Sequence, residues 1–193
     1  HTNLDGFDPQ EASLYDLRKI AAKLGVEDWF EFPEDSVSLF KAPPDEVLAD
    51  EYNAADFFIT PSNFEGFGLP LCDAMSCGLP AIANAASVMP EHIGEPLGSG
   101  PCGLADRGYL VGNRLEIVPP DKFIRVLRPE ALGHGAWEMS LLAQEGNPLL
   151  TSMRQRCQEY AKGRTWDRMK AGLYEALASI VSSPASIPVE IVA

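Results

Sequence analysis

Residues Phe57–Ala83 read FFITPSNFEGFGLPLCDAMSCGLPAIA, and their own chemistry divides them into strand, loop, helix, turn and strand. Phe57, Phe58 and Ile59 form an apolar run of strong β preference. Thr60-Pro61-Ser62-Asn63 breaks that run with residues that favour turns. A helix is expected from Leu69, with Pro70 in its first turn, where a missing N–H costs nothing. Leu71, Ala74 and Met75 supply its apolar face. Gly78 stands where a left-handed residue ends a helix, and Pro80 prevents continuation. Ala81-Ile82-Ala83 is small and apolar enough to be the next buried strand.

The chemistry concentrates at the strand-to-helix junction. Glu65-Gly66-Phe67-Gly68 precedes the helix, and its two glycines permit unusual backbone angles and the close approach of a ligand. A helix start offers free N–H groups and the positive end of a dipole, which favour a phosphate. Asp73 lies one turn into the helix, eight residues after Glu65. Carboxylates at these two places can accept hydrogen bonds from sugar hydroxyls with a phosphate between them. The same residues also suit a plain surface turn and a solvated helix position, since a lone G-x-G carries little information.

EGFGLPLCDAMSCGLPAIA, together with the strand and loop before it and Pro90-Glu91 after it, resembles a known segment. It is the Glu-x7-Glu segment of retaining, nucleotide-sugar-dependent glycosyltransferases of the GT-B fold, the glycosyl transferases group 1 family. The resemblance implies that Glu65, the catalytic candidate, contacts hydroxyls of the transferred sugar. It implies that Asp73 contacts the ribose, and that Gly66, Phe67, Gly68 and Leu69 turn their N–H groups to the sugar and diphosphate. The backbone around Phe40, Lys41 and Ala42 would border the nucleobase. No metal and no cofactor are implied, because fixed cations and helix dipoles stabilise the leaving diphosphate. The substrate would be a nucleotide-diphosphate sugar, and the acceptor a sugar, lipid or protein. In one place the sequence departs from the pattern: the family usually has glutamate at both ends, and this chain has the shorter Asp73 at the second.

Composition sets the outer bounds. At 193 residues the chain is long enough for a real core, and 46% hydrophobic with 22% charged residues is ordinary for a globular domain. A net charge of −13 argues against a partner that is a nucleic acid, since no basic cluster is present to neutralise phosphates. No run of about 18 apolar residues suggests a transmembrane helix. Cys72, Cys77, Cys102 and Cys157 make no CxxC pair, and with His1, His92 and His134 they give no metal-ligand spacing. Reduced packing cysteines and an acidic surface suit a cytoplasmic protein.

The chain begins at His1 without a signal-peptide pattern and reads as part of a longer protein. Asp8, Pro9 and Glu11 start a helix that carries Leu14, Leu17, Ile20, Ala21 and Leu24 and stops at Gly25. Trp29–Phe32 and Val37–Phe40 look like short strands, and a helix follows from Pro43-Pro44-Asp45 to Ala55. Residues 84–120 are expected to be a long loop with one helical turn at Pro90–Ile93 and a short strand at Tyr109–Val111. A strand at Phe123–Leu127 and helices from Pro129, Pro148 and Thr165 complete the order. In the last helix Trp166, Met169, Leu173, Leu177 and Ile180 mark a stripe expected to be buried.

Strands alternating with helices imply an α/β fold, an open and mainly parallel sheet with helices on both faces. Residues 1–182 are then a partial nucleotide-sugar-binding domain, the C-terminal half of a GT-B fold truncated at its N-terminus, and 183–193 a tail. By the resemblance, the diphosphate-binding Arg and Lys and the N-terminal acceptor domain lie before His1. The chain alone is expected to be inactive. Alternatives are a GT-B epimerase or phosphorylase, and a non-catalytic module kept for binding or assembly.

Overall fold

The computed structural model describes residues 17–31, 43–118 and 122–182, and contacts divide the chain into two units, His1–Asp50 and Glu51–Ala193. In the first unit, α1 (Leu17–Leu24) ends at Gly25, whose φ of 67° is left-handed, and buries Ala21. Glu27–Trp29 forms a 3₁₀ turn where the expected strand Trp29–Phe32 would begin, and Phe30 after it is extended, while Phe32 lies outside the described residues. Acidic Glu27 and Asp28 occupy the start of that turn, where N–H groups favour negative charge. Phe40, Lys41 and the strand expected at Val37–Phe40 lie outside the described residues. Helix α2 (Asp45–Ala54) runs across the boundary between the units.

The second unit is built on a four-stranded sheet of order β1-β2-β4-β3. Strands β1 (Phe58–Thr60), β2 (Ala81–Asn84) and β4 (Gly108–Val111) are parallel, while β3 (Gly103–Ala105) pairs antiparallel with β4. Period-two alternation sends Ala81, Ala83 and Leu110 to one face and Ile82, Tyr109 and Val111 to the other. The first face packs on Leu71 and Met75 of α3 (Leu69–Ser76), Met89 and Ile93 of α4 (Met89–Ile93) and Cys157 of α6 (Pro148–Lys162). The second packs on Met139 of α5 (Pro129–Ser140) and Met153 of α6. Each large side chain buried this way contributes roughly 1.5–3 kcal/mol. The fold is therefore the expected α/β architecture, with helices on both faces of a mainly parallel sheet.

Two expectations change. Residues 84–118 are not mostly loop, because the β3–β4 ribbon and the start of a second hairpin occupy them. That hairpin pairs β5 (Asn113–Val118) with β6 (Lys122–Leu127) in an antiparallel register from Asn113↔Leu127 to Val118↔Lys122. The final helix, α7 (Trp166–Ser182), leaves its apolar stripe exposed: Trp166 is 73% accessible and Ile180 69%. Both core clusters draw on α6 and neither on α7 among the described residues, so the spacing marks a face without showing what covers it.

Candidate functional site

Strand β1 ends at Thr60, and the loop to α3 leaves from the carboxyl end of the parallel strands, where open α/β sheets bind ligands. That loop is tied both to other elements and within itself. Asn63 Oδ1 accepts from the Leu127 N–H at 2.8 Å, which fastens the loop to the end of β6. Ser62 Oγ donates to Glu65 Oε1 at 2.8 Å. Ser87, just after β2, grips the Glu65 backbone from both sides. Its Oγ donates to the Glu65 carbonyl at 2.6 Å and accepts from the Glu65 N–H at 3.3 Å. Ser87 has a φ of 57°, the one described non-glycine residue in the left-handed region, where strain collects at functional sites.

Gly68 caps α3 with a left-handed φ of 79° that a Cβ would resist. No side chain caps this helix start. Among the described residues none accepts from the N–H groups of Gly66, Phe67, Gly68 or Leu69. Gly66, Phe67 and Leu69 are exposed, and Glu65 is half-buried beside them. The structure thus brings Glu65, Gly66, Phe67, Gly68 and Leu69 together at one helix start. Asp73 is exposed one turn along the same helix, close enough to Tyr52 to help raise that phenol's pKa after burial, the larger cause.

Beneath the loop lies a buried group. His92 on α4 is fully inaccessible; its Nε2 is 2.6 Å from the Phe67 carbonyl and its Nδ1 2.9 Å from Tyr160 Oη on α6. Arg107 Nε donates to the His92 carbonyl at 2.6 Å, and Arg164 pairs with Glu91 at 2.6 Å. Both guanidinium groups stack over the Tyr160 ring, at 4.3 and 4.7 Å from its centroid. Burial lowers the His92 pKa, Arg164 and Arg107 push it the same way, and the Phe67 bond and Glu91 oppose them. Asn84, the other buried polar residue among those described, accepts from Asn113 Nδ2 at 2.9 Å and donates to the Arg125 carbonyl at 3.2 Å, anchoring the β5–β6 hairpin.

Sequence reasoning did not reach Ser87, His92, Tyr160 or this asparagine pair. Their partners lie 22 to 68 residues away along the chain, and no local spacing encodes such contacts. Among the described residues, no three His, Cys, Asp or Glu side chains are placed to hold a metal ion.

Comparison with known proteins gives this geometry a context. Residues 10–103 match the model of a family described as Glycosyl transferases group 1. The chain is 48% identical over 52 residues to O-antigen chain mannosyltransferase B of Escherichia coli, a stretch that is 27% of this chain and 14% of that protein. It is 40% identical over 79 residues to a D-inositol 3-phosphate glycosyltransferase of Streptomyces bingchenggensis, which is 40% of this chain and 15% of that protein. Sucrose-phosphate synthase from Thermosynechococcus elongatus shares the fold with a TM-score of 0.60 at 22% identity, over 91% of this chain and 37% of that one. A pneumococcal O-GlcNAc transferase, solved with UDP and GlcNAc, has a TM-score of 0.57 at 22% identity, over 89% of this chain and 28% of that one. These structural neighbours are GT-B glycosyltransferases. The chain spans only a minor part of the length of the relatives it matches.

Proposed function

We propose that this chain is the donor-binding domain of a retaining glycosyltransferase, because residues 10–103 match the model of the glycosyl transferases group 1 family and the fold is that of GT-B glycosyltransferases. It holds a nucleotide-diphosphate sugar, and the whole enzyme passes the sugar to an acceptor with the anomeric configuration kept. The observation that carries this reading is the junction of β1 and α3. There Glu65 is clamped by Ser62 and Ser87 beside a run of N–H groups that no described residue accepts from. Glu65 accepts from hydroxyls of the transferred sugar. The Gly66–Leu69 N–H groups and the α3 dipole stabilise the charge that grows on the departing diphosphate, without a metal. Asp73 accepts from the ribose, and Phe40 and Lys41 border the base. That the chain spans only a minor part of its relatives' length supports assigning the diphosphate cations and the acceptor domain to the rest of the protein, with no sugar transfer by these 193 residues alone. Four unpaired cysteines and the acidic composition support a cytoplasmic location.

The test is a panel of UDP, GDP and ADP, with their sugars, titrated against the chain by ligand-observed NMR, alongside turnover by the full-length protein. Wild type is expected to bind one nucleotide, and a Glu65→Ala, Asp73→Ala double variant to lose it. Glu65→Ala in the full-length protein is expected to lower turnover by about a hundredfold or more. The aspartate at position 73 favours one second reading, a GT-B module that keeps the fold for assembly. Unchanged activity in Glu65→Ala would favour that module and sink the transferase reading.

A further inference from the structure

His92 has no accessible surface, and a buried imidazole is costly unless both its nitrogens have partners. Here both do, and the chemistry of the partners fixes the tautomer. A carbonyl oxygen only accepts, so the 2.6 Å contact with the Phe67 oxygen puts the hydrogen on Nε2. Nδ1 is left as an acceptor for the Tyr160 hydroxyl at 2.9 Å, with Cys72 Sγ 3.7 Å away. Tyr160 is itself held between the Arg107 and Arg164 guanidinium groups, and Arg107 also binds the His92 carbonyl. The imidazole therefore links α6 to the loop before α3. What it grips there matters. The Phe67 carbonyl and the Gly68 N–H belong to one peptide unit, and in a planar trans peptide these two groups point in opposite directions. Drawing the carbonyl down onto His92 turns the Gly68 N–H away from the histidine.

We propose that His92 is a positioning residue for the donor loop: with its tautomer set by Tyr160, it holds the Phe67–Gly68 peptide so that the Gly68 N–H faces the diphosphate. The inference rests on the donor-site reading above. His92 touches no substrate and acts only through this peptide.

The experiment uses the full-length protein with the nucleotide sugar that the panel identifies, and follows donor KM, kcat and thermal stability together. His92→Leu removes the donor to Phe67, and donor KM is expected to rise about tenfold, the worth of one hydrogen bond. His92→Gln offers an amide N–H near the Nε2 position and is expected to restore donor KM to within about threefold of wild type. Equal loss of stability in both variants with donor KM unchanged in both would overturn the proposal. Should His92→Leu not fold, Tyr160→Phe gives a second route. Ring ¹⁵N shifts of His92 are expected to report the Nε2–H tautomer in wild type and a mixture in Tyr160→Phe, with donor KM raised in the variant. An Nδ1–H tautomer in wild type would overturn the proposal without reference to activity. Glu65→Ala separates the two failures. If it leaves donor binding and transfer intact, the donor-site reading falls and the inference with it. If it abolishes transfer while both His92 variants keep the wild-type donor KM, the role of His92 alone falls.

Discussion

Gly66 and Gly68 are two positions apart and owe their identity to different causes. At Gly68 the backbone itself demands glycine, since a side chain at φ 79° is strained by about 1 kcal/mol. At Gly66 φ is not left-handed, and a Cβ would meet nothing within 4 Å. A Cβ there would fit the fold, so under the proposed donor site the reason for glycine is a ligand lying close against the backbone. Gly66→Ala is thus expected to change stability by less than about 0.5 kcal/mol in chemical denaturation while weakening nucleotide binding. Full affinity in that variant would remove this support for a bound donor at the loop. Gly108 makes the contrast. A Cβ there would sit 1.9 Å from the Ala81 carbonyl oxygen, inside the β2–β4 ladder. Gly108→Ala is expected to cost more than about 4 kcal/mol or to prevent folding, because neither strand backbone can move without breaking the sheet.

Among the elements, the β5–β6 hairpin is the least self-sufficient. A two-stranded ribbon is marginal by itself, and this one exposes Leu115 and Ile117. Apart from Leu127, which packs in the second core cluster, its attachment is polar: Asn113 donates to Asn84 Oδ1 and to the Ala85 carbonyl, Asn84 donates to the Arg125 carbonyl, and Asn63 accepts from the Leu127 N–H. Asn84→Ala leaves the Asn113 amide short of one buried acceptor and is expected to cost about 1–3 kcal/mol. Hydrogen exchange is the measurement, with faster exchange in β5 and β6 and little change in β2. Uniform exchange across the sheet would mean that the hairpin does not depend on this anchor. What could be read from sequence follows the same division. Strands β1 and β2, helix α3 and the Gly78 stop were legible because each is written in local chemistry: an apolar run, a proline at a helix start, a glycine where φ must be positive. Of the hairpin, β6 was legible as the strand expected at Phe123–Leu127, but β5 and the pairing were not, since the attachment joins asparagines 29 residues apart. Gly135 sits inside α5, where glycine ordinarily weakens a helix, yet a Cβ there would come within 2.8 Å of the Tyr109 ring, and its smallness lets α5 lie against β4. Of the site, Glu65 and the glycine loop were visible as a motif, while Ser87 and His92 hold that loop from across the fold and left no local signal.

At the scale of the second unit, acid is the natural probe, because His92 joins the loop before α3 to α4 and α6 in one buried contact set. Burial, Arg164 and Arg107 hold its pKa below the ordinary value, against the Phe67 bond and Glu91. The unfolded chain, with an ordinary histidine near 6.5, therefore takes up this proton at a higher pH than the native protein does. Stability rises with pH wherever the unfolded state binds more protons, so the His92 contribution is complete above about 6.5 and is lost as pH falls toward the lowered native value. The other groups around the ring titrate elsewhere. Glu91 is lowered by its bond to Arg164, so its share is lost only in stronger acid, below the ordinary carboxylate value. Cys72 and Tyr160 are raised, chiefly by burial, and lose protons only in base. Melting temperature measured from about pH 7.5 down to about 5 is thus expected to fall through the histidine window in wild type. In His92→Gln that fall is expected to shrink, while the Glu91 step lies below this pH range in both proteins. His1 and His134 serve as the control, since both are still present in the variant. Identical profiles for the two proteins would show that the native state does not hold His92 neutral, and that its burial beneath the loop is not what acid acts on.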